Sequence, residues 1–421
     1  MKVLNFNNSV IISTITYYLT SLIGIVLYLQ IFTLFDLNTL GKFSVYQTVV
    51  FLGSKFISLS TPFSLMRFVS QEERTRINLN YFISAICIVL FFFICGYGLY
   101  NIEILFKFFI KVPYSEVVVL LSKTILLQAI NFLIKSFFNS FKDFIYYNIS
   151  FLLRPLLTIF IIYFFYKELF SDFYLVFFYT ELLLIIFNSF LLLSRMKFFY
   201  LSNMIEAFLS HLQYMKTAFL TSVFTEIYFK VDIFCIAVLL GEYYSGIYAL
   251  VAIIGEGLVG LIYVIRNNLT PYITIKNIEE KNLHFRTHIL ASLKSANLVS
   301  FITSFFIILV VIFGSKRVDL LNTLYIEGFQ PLLIVLIGFS VMSFFLTIEN
   351  VLLQIGSHGQ HVTGLIIFNF LNIFLNFALV EYKLIGIVIA TVLSYFIFIN
   401  FVMIVFKIKF KYSLLTFILS N

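Results

Sequence analysis

Charged residues are scarce in this sequence. Asp, Glu, Lys and Arg together make up 11% of its 421 residues, whereas 61% of the residues are hydrophobic. A typical soluble domain is about a quarter charged and about half apolar, and a water-soluble globule needs polar residues to cover its surface. The composition therefore excludes a cytosolic enzyme, a disordered chain and a secreted disulfide scaffold. It predicts a polytopic membrane protein.

Cysteine residues, nucleotide-binding motifs and metal-binding motifs are also scarce. Cys87, Cys95 and Cys235 are odd in number and lie in apolar runs, so no disulfide framework is predicted. The sequence contains no G-x-x-x-x-G-K-[ST] loop, which excludes nucleotide hydrolysis by that route. His284 and His288 lie in a predicted basic cytoplasmic loop and are expected to be solvated, so we predict neither a metal nor another cofactor. The other histidines are predicted to lie in short loops: His211, His358 and His361.

Long apolar runs fill the rest of the chain. A bilayer core of about 30 Å needs roughly 20 apolar residues per helix, and the runs are continuous rather than alternating, which favours helices over barrel strands. The predicted fold class is therefore all-α: a polytopic membrane protein with about 12 transmembrane helices, in two six-helix bundles around a central cavity. The predicted bundles are 1–200 and 201–421. The predicted spans are 9–34, 43–65, 80–100, 116–138, 146–166, 173–194, 214–239, 245–265, 288–312, 330–352, 362–380 and 384–405.

The distribution of Lys and Arg predicts the orientation of the spans. With the amino terminus in the cytoplasm, 17 of these residues fall in cytoplasmic segments or in the cytoplasmic ends of predicted spans, and 7 fall on the far side. Cytoplasmic loops of membrane proteins are enriched in positive charge. We therefore predict that both termini are cytoplasmic. The net charge of +8 suits contact with anionic lipid headgroups, whereas the dispersal of the charges disfavours nucleic acid as a partner.

The two halves of the sequence resemble each other. Gly41 in the run Leu40–Phe43 and Gly246 in the run Ser245–Tyr248 stand at the starts of the second and eighth predicted spans, 205 residues apart. Shifting the first three spans by this offset places them close to spans seven to nine. Because both halves begin on the same side of the membrane, the pattern predicts a parallel repeat about an axis along the membrane normal.

Four stretches combine Gly, Pro and polar residues with the ends of apolar runs. They are Val231-Asp232-Ile233-Phe234 with Leu239-Leu240-Gly241, Ser245-Gly246-Ile247-Tyr248 and Pro271; Leu40-Gly41 with Arg67-Phe68; Gly356-Ser357-His358-Gly359-Gln360; and Leu384-Ile385-Gly386-Ile387 with Ala390 and Ser394. In these stretches and in its span number, the sequence resembles the bacterial polysaccharide repeat-unit flippases of the O-antigen and capsule type. That family belongs to the superfamily of multidrug, oligosaccharidyl-lipid and polysaccharide exporters.

The resemblance implies a transporter rather than an enzyme. The family flips undecaprenyl-diphosphate-linked oligosaccharide repeat units from the cytoplasmic to the outer leaflet of the bacterial inner membrane, by alternating access, for surface polysaccharide biosynthesis. The implied partners are the undecaprenyl-diphosphate glycan, membrane lipids, a polysaccharide polymerase and glycosyltransferases.

Two alternative functions stay open at this point. A multidrug or small-molecule efflux antiporter of the same superfamily is expected to line its cavity with acids rather than with Lys and Arg. A membrane glycan polymerase or ligase is expected to carry a sizeable extramembrane loop, whereas the longest connection here, roughly 266–287, is a short basic loop.

Cations and polar side chains inside the predicted spans are the candidate substrate-binding residues. Each ionised group at a helix centre costs about 2.5–3.5 kcal/mol on insertion scales, so such groups are expected to face a wet cavity or to pair. A diphosphate carries about two negative charges, and fixed cations would offset its desolvation. Snorkelling to an interface is the alternative for long side chains. The predicted cavity residues are Lys55, Lys123, Asn131, Lys135 and Arg154.

Acidic residues in the spans are the candidates for ion coupling. Glu226 and Lys230 are four residues apart in the order that favours a pair, so they form either a structural ion pair or part of a coupling site. Asp232, about 200° round the helix from Lys230, is either an interfacial carboxylate or part of that site. Glu256 lies about mid-span and is a candidate carrier of a coupling proton. Other embedded polar residues are Glu181, Glu349 and an asparagine stripe of Asn369, Asn372 and Asn376.

Overall fold

The computed structural model describes residues 6–69, 77–100, 116–140, 143–165, 173–194, 199–201, 203–269, 283–354 and 358–410. These residues are almost entirely helical. Their helices are α1 (Phe6–Leu34), α2 (Leu37–Ser58), α3 (Thr61–Val69), α4 (Leu79–Tyr100), α5 (Glu116–Ser140), α6 (Phe144–Phe165), α7 (Phe173–Leu193), α8 (Met204–Leu239), α9 (Glu242–Leu269), α10 (Leu283–Gly314), α11 (Asp319–Glu327), α12 (Phe329–Gln354), α13 (His358–Ala378) and α14 (Lys383–Phe410). A 3-10 turn, Val380–Tyr382, precedes α14, and two two-residue strands, β1 (Ile77–Asn78) and β2 (Phe199–Tyr200), pair in parallel.

The helices have the length and apolarity of membrane spans. Nine helices of the described residues are long and apolar enough to cross a membrane, or up to ten if the pair Leu321–Glu327 and Phe329–Met342, bent by 86°, is one span. The helices α2 and α8 carry more polar and charged residues and do not meet that standard. The predicted all-α, polytopic membrane fold is confirmed.

One predicted span is interrupted. The sequence predicted a helix over 43–65, but α2 ends at Ser58, and Leu59 and Ser60 adopt positive φ values of 46° and 65°. Left-handed backbone at two successive non-glycine residues cannot continue a right-handed helix. The chain restarts as α3, with Pro62 in its first turn, where a missing N–H costs no hydrogen bond. Apolar composition continues through the break, so hydropathy could not reveal it.

The chain divides into two compact units, each of which takes a segment from the other half of the sequence. The first unit comprises Met1–Leu27 and Val45–Glu226, and the second comprises Tyr28–Ser44 and Ile227–Asn421. In the first unit α5 packs against α3, α4, α6 and α7; in the second α14 packs against α12 and α13, and α9 against α10 and α12. The bundles 1–200 and 201–421 stay a prediction.

Apolar packing in the first unit surrounds one face of α5. Phe137 and Leu133 on that helix are fully buried against Leu65 of α3 and Phe82 of α4. The rings of Phe82 and Phe137 stack with centroids 4.8 Å apart. The opposite side of α5 is therefore available for polar side chains.

A buried histidine joins three helices of the first unit. His211 was predicted to lie in a loop, but it lies in α8 and is fully buried. Its Nε2 lies 2.8 Å from the carbonyl oxygen of Tyr81 in α4, and its Nδ1 lies 2.5 Å from the Ser64 hydroxyl in α3. Because a carbonyl oxygen only accepts, Nε2 carries the proton. The Ser64 hydroxyl lies within hydrogen-bond distance of both Nδ1 and the carbonyl oxygen of Thr61. The prediction failed because the amphipathic first turns of α8 precede its apolar run.

The repeated glycines lie at a close contact inside the second unit. A Cβ added to Gly41 would lie 2.0 Å from the carbonyl oxygen of Glu242, and one added to Gly246 would lie 2.1 Å from that of Leu37. Leu37 and Glu242 are themselves 205 residues apart, as the two glycines are. The first turns of α2 and α9 therefore cross backbone to backbone in a symmetric contact. Lys42 Nζ lies 3.3 Å from a Glu242 carboxylate oxygen at the same crossing.

Replacing either crossing glycine should destabilise the protein. Gly41→Ala or Gly246→Ala puts a methyl group into a backbone carbonyl, and relieving such a clash should cost about 1–3 kcal/mol. Thermal unfolding in detergent measures this. Gly257→Ala on α9 is the control, because a Cβ there would meet no atom of the described residues within 4 Å. Equal stability of the Gly41 and Gly257 variants would contradict the close crossing.

Acid should weaken the junction around His211. Burial lowers the pKa of His211 to about 4 from its ordinary 6.5, so the unfolded chain binds the proton more readily than the folded one. The resulting stability is complete above about pH 6.5 and is lost as the pH falls toward 4. The unfolding temperature of the wild type should therefore drop more steeply across this range than that of His211→Asn. Parallel profiles would show that His211 is not the titrating group.

Candidate functional site

Three cations from three helices of the first unit gather around one aromatic ring. Relative to the centroid of the Phe132 ring on α5, Lys55 Nζ of α2 lies 4.9 Å away, Lys135 Nζ of α5 lies 5.3 Å away, and Arg154 Cζ of α6 lies 5.2 Å away. The negative face of an aromatic ring attracts cations at these distances. The structure thus brings together Lys55, Lys135 and Arg154 as the cation cluster.

Arg154 is held by a buried polar chain. Its Nε lies 3.0 Å from Glu181 Oε1 on α7, and its Nη2 donates to Glu181 Oε2 over 3.1 Å. Asn131 donates to Glu181 Oε2 over 2.7 Å and accepts from Asn188 Nδ2 over 3.0 Å. Arg154 is therefore engaged by a carboxylate that is itself fully supported. Sequence reasoning missed Asn188, although it follows Glu181 by two helical turns and so shares its face.

Lys55 pairs with a more exposed carboxylate and also lies among aromatic rings. Its Nζ lies 2.8 Å from Glu226 Oε1 on α8, and both side chains are slightly less than one-fifth exposed. The rings of Phe51 and Phe63 also lie 5.3 Å and 5.9 Å from the ammonium. Lys55 is therefore positioned by aromatic rings as well as by its carboxylate partner.

The predicted ion pair between Glu226 and Lys230 is wrong. Glu226 pairs with Lys55, whereas Lys230 Nζ in the second unit lies 2.5 Å from Glu256 Oε1 on α9. A pair within one helix contributes only about 0.2–0.5 kcal/mol. Separating the embedded Lys55 from its carboxylate partner would cost more than that. The sequence could not show which helices would lie next to α8.

Lys135 is the cation of the cluster for which the described residues provide no carboxylate partner. It is 5% exposed, and no carboxylate of the described residues lies within ion-pair distance of it. Its ammonium lies 5.3 Å from the Phe132 ring and 5.5 Å from the Phe151 ring. With all three basic side chains protonated, the three cations and two carboxylates among the described residues give the cation cluster one net positive charge.

Lys123 is not part of the cation cluster. It is exposed on α5, twelve residues before Lys135, which corresponds to about 18 Å along a helix. The structure brings together four of the five predicted cavity residues: Lys55, Asn131, Lys135 and Arg154.

Asp232 forms the main polar site of the second unit. It is 2% exposed, and its carboxylate accepts hydrogen bonds from the Tyr248 hydroxyl at 2.9 Å, the Thr391 hydroxyl at 2.8 Å and Asn376 Nδ2 at 3.3 Å. Asn376 Nδ2 also donates to Asn372 Oδ1 over 2.7 Å. The carboxylate is therefore buried among side chains of three other helices, and it meets the predicted asparagine stripe. Tyr248 and Thr391 were not predicted.

The Asp232 site has the chemistry for a proton or a small cation. Asn376 Oδ1 and Asn372 Nδ2 are buried without a hydrogen-bond partner in the part of the chain that the structure describes. Carboxylate, amide and hydroxyl oxygens are the ligands that hard cations prefer. No group of three His, Cys, Asp or Glu among the described residues could hold a metal ion. One carboxylate among neutral oxygens therefore fits a single positive charge better than a multivalent metal.

A second buried acid in this unit pairs with a histidine. His361 was predicted to lie in a loop, but it lies in α13 and its Nε2 contacts a carboxylate oxygen of Glu349 on α12. Both side chains are at most one-tenth exposed. The pair links the end of α12 to the beginning of α13.

No protein-family model and no characterised protein matches this sequence. Solved structures match its fold over nearly the whole chain. An outward-facing MATE multidrug resistance transporter of the MOP superfamily has a TM-score of 0.67 at 13% identity, covering 96% of each chain. The lipid II flippase MurJ, in an inward closed conformation, has a TM-score of 0.68 at 15% identity, covering 97% of this chain and 89% of that one.

A third match concerns the polarity of a binding site. A MOP superfamily transporter from Pyrococcus furiosus, described by a binding pocket of reversed polarity that suggests a different function, has a TM-score of 0.61 at 14% identity and covers 96% of each chain. At identities of this size the likeness is one of fold. This chain therefore has the fold shared by MATE transporters and MurJ.

The buried Arg154–Glu181 pair should matter more for stability than the more exposed Lys230–Glu256 pair. Glu181→Gln leaves a guanidinium in an enclosed site and should cost about 3 kcal/mol. Glu256 is 37% exposed, and Glu256→Gln should cost about 1 kcal/mol or less. Thermal unfolding of the two variants side by side measures the difference. An equal or larger loss for Glu256→Gln would contradict the assigned burial.

Proposed function

We propose that this protein is a flippase for anionic lipid-linked oligosaccharides. Its substrate would be an undecaprenyl-diphosphate-linked repeat unit, moved from the cytoplasmic to the outer leaflet of the bacterial inner membrane for O-antigen, capsule or related surface polysaccharide. The observation that carries the proposal is the net positive cation cluster of the first unit. Both termini would be cytoplasmic, and a polymerase and glycosyltransferases would act on the same lipid.

The cation cluster fits a diphosphate better than a cationic drug. Arg154 and Lys135 lie within helices that can span a membrane, where each cation carries an insertion cost of about 2.5–3.5 kcal/mol. An anionic headgroup in contact with Lys135 and Lys55 would offset that cost through charge-assisted hydrogen bonds. A cationic substrate would instead meet a site of its own sign. This favours an anion flippase over the multidrug efflux alternative.

The Asp232 site would couple transport to the movement of a cation across the membrane. The sequence has no nucleotide-binding loop, so the movement would be driven by a proton or another monovalent cation. Asp232 with Tyr248, Thr391 and Asn376 would bind that cation, and the nearby acid Glu256 of the same unit remains a second candidate. A membrane potential contributes about 2.3 kcal/mol per charge per 100 mV, which is enough to bias such a cycle.

Removing Lys135 should abolish transport without unfolding the protein. Lys135→Met keeps the side-chain volume and removes a buried ammonium, so the variant should be at least as stable as the wild type. Flipping of a fluorescent polyprenyl-diphosphate disaccharide in proteoliposomes should fall by about tenfold or more, since a charge-assisted contact is lost. Lys407→Gln, which removes an exposed charge on α14, serves as the control.

Two results would decide against this function. Unchanged flipping by the Lys135→Met variant would remove the role of the cation cluster. Efflux of a cationic dye that is insensitive to Lys135→Met, in vesicles that do not flip the diphosphate lipid, would instead establish the drug-transporter alternative.

A further inference from the structure

The two carboxylates of the cation cluster are held very differently. Glu181 is buried, has two contacts with Arg154 and accepts a hydrogen bond from Asn131. Glu226 is about one-fifth exposed and has a single ion-pair contact within the described residues, the one with Lys55. Breaking the Glu181 contacts would leave buried charges without partners, which is costly. Glu226 is therefore the carboxylate that an anion can replace.

Lys55 would stay in place if Glu226 left it. The rings of Phe132, Phe51 and Phe63 lie 4.9 Å, 5.3 Å and 5.9 Å from its ammonium. These cation–π contacts do not depend on the carboxylate. An anion that displaces Glu226 would thus find Lys55 already positioned, next to Lys135, which has no carboxylate partner among the described residues.

The charge of the cation cluster depends on Glu226. With Glu226 on Lys55 and all three basic side chains protonated, three cations and two carboxylates leave one positive charge, which a headgroup with a single phosphate diester would neutralise. A diphosphate diester carries about two negative charges at neutral pH. Its second charge is balanced only when the Glu226 carboxylate turns away from Lys55.

We propose that Glu226 is a specificity-determining residue that sets the charge of the headgroup accepted by the cation cluster. A diphosphate diester binds by replacing the Glu226 carboxylate on Lys55, whereas a phosphate diester binds to Lys135 with the Lys55–Glu226 pair intact. The inference rests on the proposed anionic substrate. It adds that the site holds an internal anion, the Glu226 carboxylate, that competes with the second phosphate.

The test compares two probes that differ by one phosphate group and its charge. A dialkyl diphosphate and a dialkyl phosphate of equal chain length are titrated into the full-length protein in nanodiscs and followed by calorimetry. Glu226→Gln should tighten binding of the diphosphate more than that of the phosphate, changing the ratio of the two Kd values about tenfold, the size expected for a close charge pair. Glu206→Gln, which removes an exposed carboxylate on the same helix, should leave both values unchanged.

A double-mutant cycle separates this role from a structural one. In a Lys55→Gln background, Glu226→Gln should change the Kd ratio less than about twofold, because the cation that it would release is absent. Glu226→Met provides a second neutral variant if Glu226→Gln folds poorly, and thermal unfolding checks both.

The outcomes separate this inference from the proposed function. A wild type that binds neither probe defeats the proposed anionic substrate. A wild type that binds both probes, with a Kd ratio that Glu226→Gln and Glu226→Met leave unchanged, defeats only the role of Glu226. Weaker binding of both probes to these variants would also overturn it, since Glu226 would then hold Lys55 in its binding position.

Discussion

A carboxylate inside hydrocarbon needs hydrogen-bond donors or basic side chains beside it, and this requirement organises both units. Five carboxylates each contact a hydrogen-bond donor or a basic side chain, and in every case at least one of these partners comes from another helix. They are Asp232, Glu181, Glu226, Glu256 and Glu349. Between apolar helices in lipid, the hydrophobic effect supplies little direction. Polar contacts of this kind therefore fix which helices are neighbours and in which register they pack.

The sequence was sufficient to predict where the long helices lie, but not where a helix is interrupted. Each of the predicted spans corresponds to a long helix in the described residues, because continuous apolar runs of about 20 residues have few other uses. The break at Leu59 and Ser60 was invisible because it is a backbone event inside an apolar stretch. The start of α8 at Met204 was not predicted, because the first turns of this helix are amphipathic rather than continuously apolar.

The same contrast holds for the candidate site. Hydropathy identified which charges would be embedded, and Lys55, Lys135 and Arg154 do converge on Phe132. Their partners could not be predicted, because partner choice depends on distances between helices that sequence spacing does not encode. Local spacing favoured Glu226 with Lys230, and tertiary packing gave each of them a closer partner.

The crossing of α2 and α9 has a bearing on the origin of the chain. Gly41 packs against the backbone of Glu242, and Gly246 packs against the backbone of Leu37. Leu37 and Glu242 are equivalent positions of the two halves, as Gly41 and Gly246 are, so the two sides of the contact correspond to each other. A self-complementary contact of this type is the one that two identical subunits make about a two-fold axis. A half-length ancestor could have used it to dimerise, and joining two copies end to end would have preserved it without any new interaction.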